Sequence, residues 1–207
     1  MNDRFDSFSS LAHEAPSDSW RRVHRETPSA DTLILAPHGG DIEVGTSELA
    51  VSVAGDEHNL YCFEGLNTRC FSDLHVTSHR FDDPIALELA ARAAIVVALH
   101  GCKGHRSIYV GGRDAELIAL LTTRLVEAGF PARSDNHPFP AIHPDNICNR
   151  GKRGIGAQLE LTRDLRGAET RSAIAQAIRS AIKVYSARLS AGARPRGKSD
   201  ANHDHER

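Results

Sequence analysis

Leu33-Ile34-Leu35-Ala36-Pro37-His38-Gly39-Gly40-Asp41-Ile42-Glu43-Val44-Gly45-Thr46-Ser47-Glu48 is the stretch whose reading decides the fold. An apolar run with the character of a buried strand stops at Pro37, and a histidine, two glycines and two acids follow before a helix can begin. This is the layout of a site at the carboxyl end of a sheet strand, where open α/β sheets form a crevice and side chains are available to ligands. His38 and Glu43 are five positions apart, a spacing that does not share a helical face, so they converge only through a sharp turn. Gly39-Gly40 permits such a turn, because glycine takes positive φ without steric cost. Imidazole nitrogen and carboxylate oxygen are both Zn²⁺ ligands, and a catalytic zinc takes three protein ligands plus a water. The other reading of the stretch is a glycine-rich turn whose Glu43 or Thr46 caps a helix while His38 bonds locally.

The pattern recurs downstream. Ala94-Ile95-Val96-Val97-Ala98-Leu99 is apolar on both faces, as central parallel strands are, and it ends in His100-Gly101. If the two strands are parallel neighbours, both imidazoles meet above one sheet edge, which makes His100 the third candidate metal ligand. Ile155, Ala157, Leu159 and Leu161 alternate with Gly156, Gln158 and Glu160. On an inner strand, Glu160 would be a carboxylate held rigidly in a cleft, able to act as general base and then acid; on an edge strand it would simply face water.

The rest of the chain supplies a frame for these residues. With 207 residues the sequence suits one domain with a full core. We expect a polar N-terminal arm over residues 1–30, with Trp20 in a helical turn, a domain over 31–191 and a disordered tail over 192–207. Between the strands at Thr32–Pro37, Asn59–Glu64 and Ser107–Val110, helices are expected at Thr46–Val53, Asp82–Arg92, Arg113–Ala128 and Ala168–Ser190. Residues 131–152 read as a long functional loop containing Asn149-Arg150, a pair that suits a carboxylate, although a solvated loop arginine is the simpler reading. The fold class expected is therefore α/β, a single domain with a mixed, mostly parallel sheet flanked by helices.

The net charge of −2 provides no global basic field, aromatics are only 5%, and no basic stripe is present, which argues against a nucleic-acid accessory protein. No apolar run reaches eighteen residues and no leader-like core follows the N-terminus, so a cytoplasmic protein without membrane partners is expected. Cys62, Cys70, Cys102 and Cys148 are scattered and are expected to be reduced thiols.

The blocks His38 to Glu48, Leu74-His75-Val76-Thr77-Ser78, His100-Gly101, Tyr109-Val110-Gly111-Gly112, Asn146 to Gly151 and Gly156 to Leu161 stand in the order found in the poly-γ-glutamate hydrolase family, which this chain resembles from about residue 30 to 190. Members occur in phages and bacteria and are often labelled phage-related replication proteins. The resemblance implies a compact, zinc-exopeptidase-like relative of carboxypeptidases with one Zn²⁺ held by His38, Glu43 and His100, and Glu160 as acid/base. Asn149-Arg150 resembles the carboxylate-holding pair of carboxypeptidases, although it follows the third ligand instead of preceding it. Arg69, Arg113 or His75 would steady the oxyanion or substrate. The implied substrate is an anionic polyglutamate cut at γ-glutamyl amide bonds, and a monomer is expected. From residue 100 to 154 eight Lys and Arg stand against five acids, an excess of three that would favour an anionic partner. The alternatives are a zinc amidohydrolase acting on a small acylated amino acid or peptide, and an inactive binder of the polymer.

Overall fold

The computed structural model describes residues 3–67 and 70–192, so Arg69 and the expected tail beyond Gly192 lie outside the described residues. In chain order the elements are α1 (Phe8–Glu14), β1 (Trp20–Arg25), β2 (Thr32–Gly40), α2 (Thr46–Ala54), β3 (Asn59–Gly65), α3 (Cys70–Leu74) and α4 (Pro84–Arg92). They continue with β4 (Ile95–Cys102), β5 (Ile108–Gly112), α5 (Ala115–Glu127), β6 (Ala132–Arg133), β7 (Ala157–Thr162) and α6 (Ala168–Gly192). Short 3₁₀ turns sit at Ile147–Asn149 and Arg163–Leu165.

The strands form one sheet in the order β1-β3-β2-β4-β7-β5-β6. The β3-β2-β4-β7 block is parallel, while β1 and β5 run antiparallel to their inner neighbours. Alternation along β2 divides the core. Ile34 and Ala36 pack with the buried faces of α2, α5 and α6, whereas Leu33 and Leu35 pack with those of α1 and α4. The result is a mixed, mostly parallel sheet covered by helices on both faces, as the apolar central strands require.

Two expectations need correction. β2 does not stop at Pro37. It resumes after an irregularity between Ala36 and Gly39, with Gly39 opposite Glu64 and Gly40 opposite Gly65. Pro37 has no N–H to give the ladder, so the break in pairing falls where the chain cannot donate. The N-terminal arm is also not separate. Trp20–Arg25 is a strand, not a helical turn, and pairs with β3 from Trp20↔Gly65 to Arg25↔Leu60. Phe5, Phe8 and Leu11 are buried in the core. Phe8 meets Phe63 edge-to-face at 5.1 Å, a contact worth about 0.5–1.5 kcal/mol beyond its buried area. Arg22 pairs with Asp83, which is fully buried and also accepts from the Tyr61 hydroxyl at 2.8 Å.

Because β2, β4 and β7 are parallel and adjacent in the sheet, their carboxyl ends open on one edge.

Candidate active site

The sharp turn after β2 is closed by Glu43 N–H donating to the His38 carbonyl at 3.0 Å and by Ile42 N–H donating to that of Gly39 at 3.3 Å. Gly40 has φ +59°, and a Cβ at Gly39 would overlap the Ser47 hydroxyl. That hydroxyl accepts from Gly40 N–H at 3.1 Å, tying the turn to the first residues of α2. Glycine is therefore demanded at both positions, and the turn brings His38 and Glu43 to one point.

His38 Nε2 donates to the Val76 carbonyl at 2.8 Å. A carbonyl only accepts, so the neutral ring carries its proton there and keeps a lone pair on Nδ1. Nδ1 lies 3.1 Å from His100 Nδ1 and 3.4 Å from Glu43 Oε1. His100 Nδ1 is 3.7 Å from Glu43 Oε2, which accepts from Gly101 N–H at 2.7 Å. Zinc bonded to nitrogen and oxygen at about 2.0–2.1 Å in a tetrahedron separates its ligands by about 3.3 Å. The distance between the two imidazole nitrogens is close to that spacing, whereas Glu43 reaches His38 through one oxygen and His100 through the other.

His75 joins them. Its ring lies tilted against that of His38 at 4.2 Å between centroids, and it contributes with His38 and Glu43 a set of ligand atoms within 4.8 Å of one another. His75 Nδ1 contacts Asp3 Oδ1 at 2.7 Å, while Asp3 Oδ2 accepts from Thr77 N–H at 2.7 Å and from its hydroxyl at 2.6 Å. A neutral imidazole donating from Nδ1 to a carboxylate has an acceptor at Nε2, which suits a cation and not an oxyanion. His75 is thus also a candidate metal ligand, alongside His38 and Glu43.

Glu160 stands beside His100 in the β4–β7 ladder. β7 is an inner strand, so the wet-edge reading does not apply, and Glu160 is only 8% exposed. Gln158 Nε2 donates to Glu160 Oε1 at 2.9 Å, and Gln158 Oε1 in turn accepts from Asn146 Nδ2 at 3.0 Å. This chain of amides holds the carboxylate in one orientation.

Burial acts most strongly on each of these groups, and always against the charged form. For His38 and Glu43 their mutual attraction outweighs it, leaving the imidazole raised and the carboxylate lowered. For His100, burial and then the charge of His38 bring the pKa down to about 3, so this ring is neutral at pH 7. Burial followed by the negative charge of Glu43 holds Glu160 well above the usual carboxylate range.

These groups line a cavity of about 1000 Å³ whose walls also include Pro138 to His143, Lys103, Arg163 and Arg166. Asn149, Arg150 and Arg113 do not line it. Asn149 is buried, donates to the carbonyls of Ala141 and His143 at 2.8 and 2.9 Å and accepts from Gly156 N–H at 3.1 Å, so it braces a cavity wall from behind. Arg150 is exposed and paired with Asp145 at 3.2 Å. Arg113 follows β5, which runs antiparallel to β7 and places Gly112 opposite Ala157 at the amino end of that strand. Arg113 is therefore displaced from the carboxyl edge by strand direction, which no local pattern reveals. Arg166 was missed for the converse reason, since it follows β7 by a few residues and nothing in its neighbours marks it as inward-facing.

An α/β domain with imidazole and carboxylate ligands gathered at the carboxyl edge of its parallel strands is the class that fold and site define. A family model described as poly-gamma-glutamate hydrolase matches residues 5–185, and the chain belongs to that family of hydrolases. The UPF0714 protein YndL of Bacillus subtilis (strain 168) is 39% identical over 167 residues, 79% of this chain and 66% of that protein. The UPF0714 protein YmaC of the same organism is 38% identical over 170 residues, 80% of this chain and 72% of that protein. The chain thus spans about two thirds of the length of YndL. Among solved structures, a bacteriophage poly-gamma-glutamate hydrolase superposes with a TM-score of 0.85 at 30% identity, covering 90% of this chain and 99% of its own. A zinc-free apo form of YndL superposes with a TM-score of 0.82 at 34% identity, covering 88% and 98%. The N-formylglutamate amidohydrolase of Ralstonia eutropha JMP134 shares the fold at a TM-score of 0.56 and 12% identity, over 84% and 99%.

Proposed function

We propose that this protein is a zinc-dependent hydrolase that cuts γ-glutamyl amide bonds in poly-γ-glutamate. The observation that carries the reading is the convergence of His38 Nδ1, His100 Nδ1 and the Glu43 carboxylate within 3.7 Å, with Glu160 in the neighbouring ladder position. Membership of the poly-gamma-glutamate hydrolase family and similarity to a YndL form described as zinc-free support it.

His38, Glu43 and His100 would hold the ion, with His75 beside them. Zinc so held would supply Lewis acidity and lower the pKa of a water towards about 7. The chain's own residues do the rest. Val76 and Asp3 orient the imidazoles through their outward N–H groups, as supporting hydrogen bonds do in metal sites. Glu160 takes the proton of the attacking water and returns it to the leaving amine. Its Oε1 is engaged by Gln158, so Oε2 is the atom assigned to the proton. The high pKa of this carboxyl suits it to hold that proton between the two steps.

The substrate class rests on charge. A γ-linked polymer carries a free α-carboxylate on every unit, and the cavity wall offers Lys103, Arg163 and Arg166 while its two acids, Glu43 and Glu160, lie buried. Zinc-loaded protein incubated with γ-linked and α-linked polyglutamate, with chain length followed over time, tests the reading. We expect only the γ-linked polymer to shorten. Cleavage of the α-linked polymer alone, or of neither, overturns the substrate assignment.

A further inference from the structure

We propose that Arg166 is the anion-receiving group of the cavity and binds the free α-carboxylate of a glutamate unit next to the bond that is cut. The inference deepens the function proposed above and rests on it.

Arg166 is only 7% exposed and lines the cavity. Its guanidinium lies against the backbone of Gly101, so closely that a Cβ there would overlap Nη1 and Cζ. Gly101 directly follows His100 and gives its N–H to Glu43, which places the cation beside the ligand cluster. From the other side, Nη1 donates to the Val44 carbonyl at 2.6 Å, within the turn that begins at His38. A side chain clamped between the ends of β2 and β4 has little rotamer freedom left to lose on binding.

The clamp leaves donors unused. Guanidinium has five N–H donors, and Nε–H of Arg166 is buried with no hydrogen-bond partner. That N–H is closed to the cavity, so the donors a ligand meets are those of Nη2, which takes part in no hydrogen bond among the described residues, Nη1 being engaged by Val44. A planar fork with spare donors at the wall of a cavity matches a carboxylate. Lys103 and Arg163 also line the cavity but are exposed, so they attract an anion without holding it in one place.

Arg166 has a second reading. It stands near Glu43 and Glu160, and its charge favours their ionised forms. Were neutralising those acids its whole role, the charge of the substrate would not matter to it. The two roles are separated by comparing γ-linked polyglutamate with the same polymer after its α-carboxylates are converted to neutral methylamides.

For the zinc-loaded wild type, Arg166→Lys and Arg166→Gln, the quantity read is the ratio of kcat/KM on the anionic polymer to that on the neutral one. We expect this ratio to fall about 10- to 100-fold in Arg166→Gln, the size of one charge-assisted hydrogen bond, with the loss on the anionic polymer carried by KM. Arg166→Lys, which keeps charge but not the fork, should fall between. A ratio unchanged in both variants overturns the proposal, however far the absolute rates drop. Should the wild type cleave neither polymer, the function reading fails by itself. Calorimetric binding of γ-glutamylglutamate to wild type and Arg166→Lys then decides the present inference, with equal affinities overturning it and weaker binding by the variant supporting it.

Discussion

His38 and His100, 62 residues apart in sequence, hold their Nδ1 atoms 3.1 Å from each other in a buried pocket. Lone pairs on two neutral rings repel at that distance unless a proton or a cation lies between them. Glu43 completes the arrangement with a negative charge within 3.4 Å of one ring and 3.7 Å of the other.

Metal content follows from this geometry. Purified protein should bind one zinc per chain, and His38→Ala or His100→Ala should lose it together with about 100-fold or more of the activity, beyond the 10–100-fold typical of removing a supporting hydrogen bond. His75→Ala is the informative comparison. Elemental analysis showing zinc retained in His75→Ala and lost in His100→Ala assigns the third ligand to His100, and the opposite result assigns it to His75.

Asp3 lies before the stretch matched by the family model, yet its carboxylate holds both His75 and Thr77. Asp3→Asn should lower zinc affinity or activity about 10- to 100-fold while leaving the far-ultraviolet circular dichroism unchanged. An unaltered zinc dissociation constant and rate would show that the segment only packs.

Glu160→Gln should reduce kcat by about 10²–10⁴-fold while zinc stays bound. It should also stabilise the metal-stripped protein at neutral pH. The folded-state pKa of Glu160 is raised, so the folded form bears no ionisation penalty below the unfolded value of about 4.3. The penalty grows as pH rises from there towards the folded-state pKa. Thermal melts of wild type and variant should therefore diverge at pH 7, by about 2–4 °C for each kcal/mol released, and coincide near pH 4. A variant that melts lower at pH 7 would contradict a carboxylate whose burial outweighs the help of Gln158 and Arg166.

Asn149→Ala should lower the melting temperature, because the buried Gly156 N–H loses its partner at about 1–3 kcal/mol for a group left unsatisfied, and two part-buried hydrogen bonds to the Ala141 and His143 carbonyls go with it. Arg150→Ala and Arg113→Ala, at exposed positions, should stay within about 0.5 kcal/mol of wild type. Their activity should change by less than about twofold. A large rise in KM for either arginine variant would return it to the substrate site.

The buried Cys62 thiol is pushed up to about 12 by burial and then by Glu64, and the half-buried Cys102 to about 12 by burial and then by Glu160. At pH 8 a thiol of that pKa is thiolate only to about one part in 10⁴, and thiolate is the reactive form. Peptide mapping after brief treatment with a disulfide reagent should find both unmodified in native protein and modified after unfolding. Rapid native labelling of Cys62 would overturn that description.

The turn after β2 was legible from sequence because its requirements are local. A buried strand, a proline and two glycines constrain six consecutive residues enough to bring His38 and Glu43 together. His100 and Glu160 were legible because strand alternation and the strand-then-glycine pattern are short-range signals of burial and direction. The sequence alone thus determined the α/β class and which side chains sit at strand ends. Only the tertiary structure decided what those ends face. The antiparallel course of β5 sends Arg113 to the far edge, the amino end of β7 takes Asn149 for bracing, and the turn after β7 folds Arg166 in over Gly101. Likewise the first strand, with few apolar residues of its own, exists because β3 offers it hydrogen bonds and Phe63 offers Trp20 and Phe8 a surface. Those contacts join residues tens of positions apart, and their free energy appears only once the whole sheet has formed.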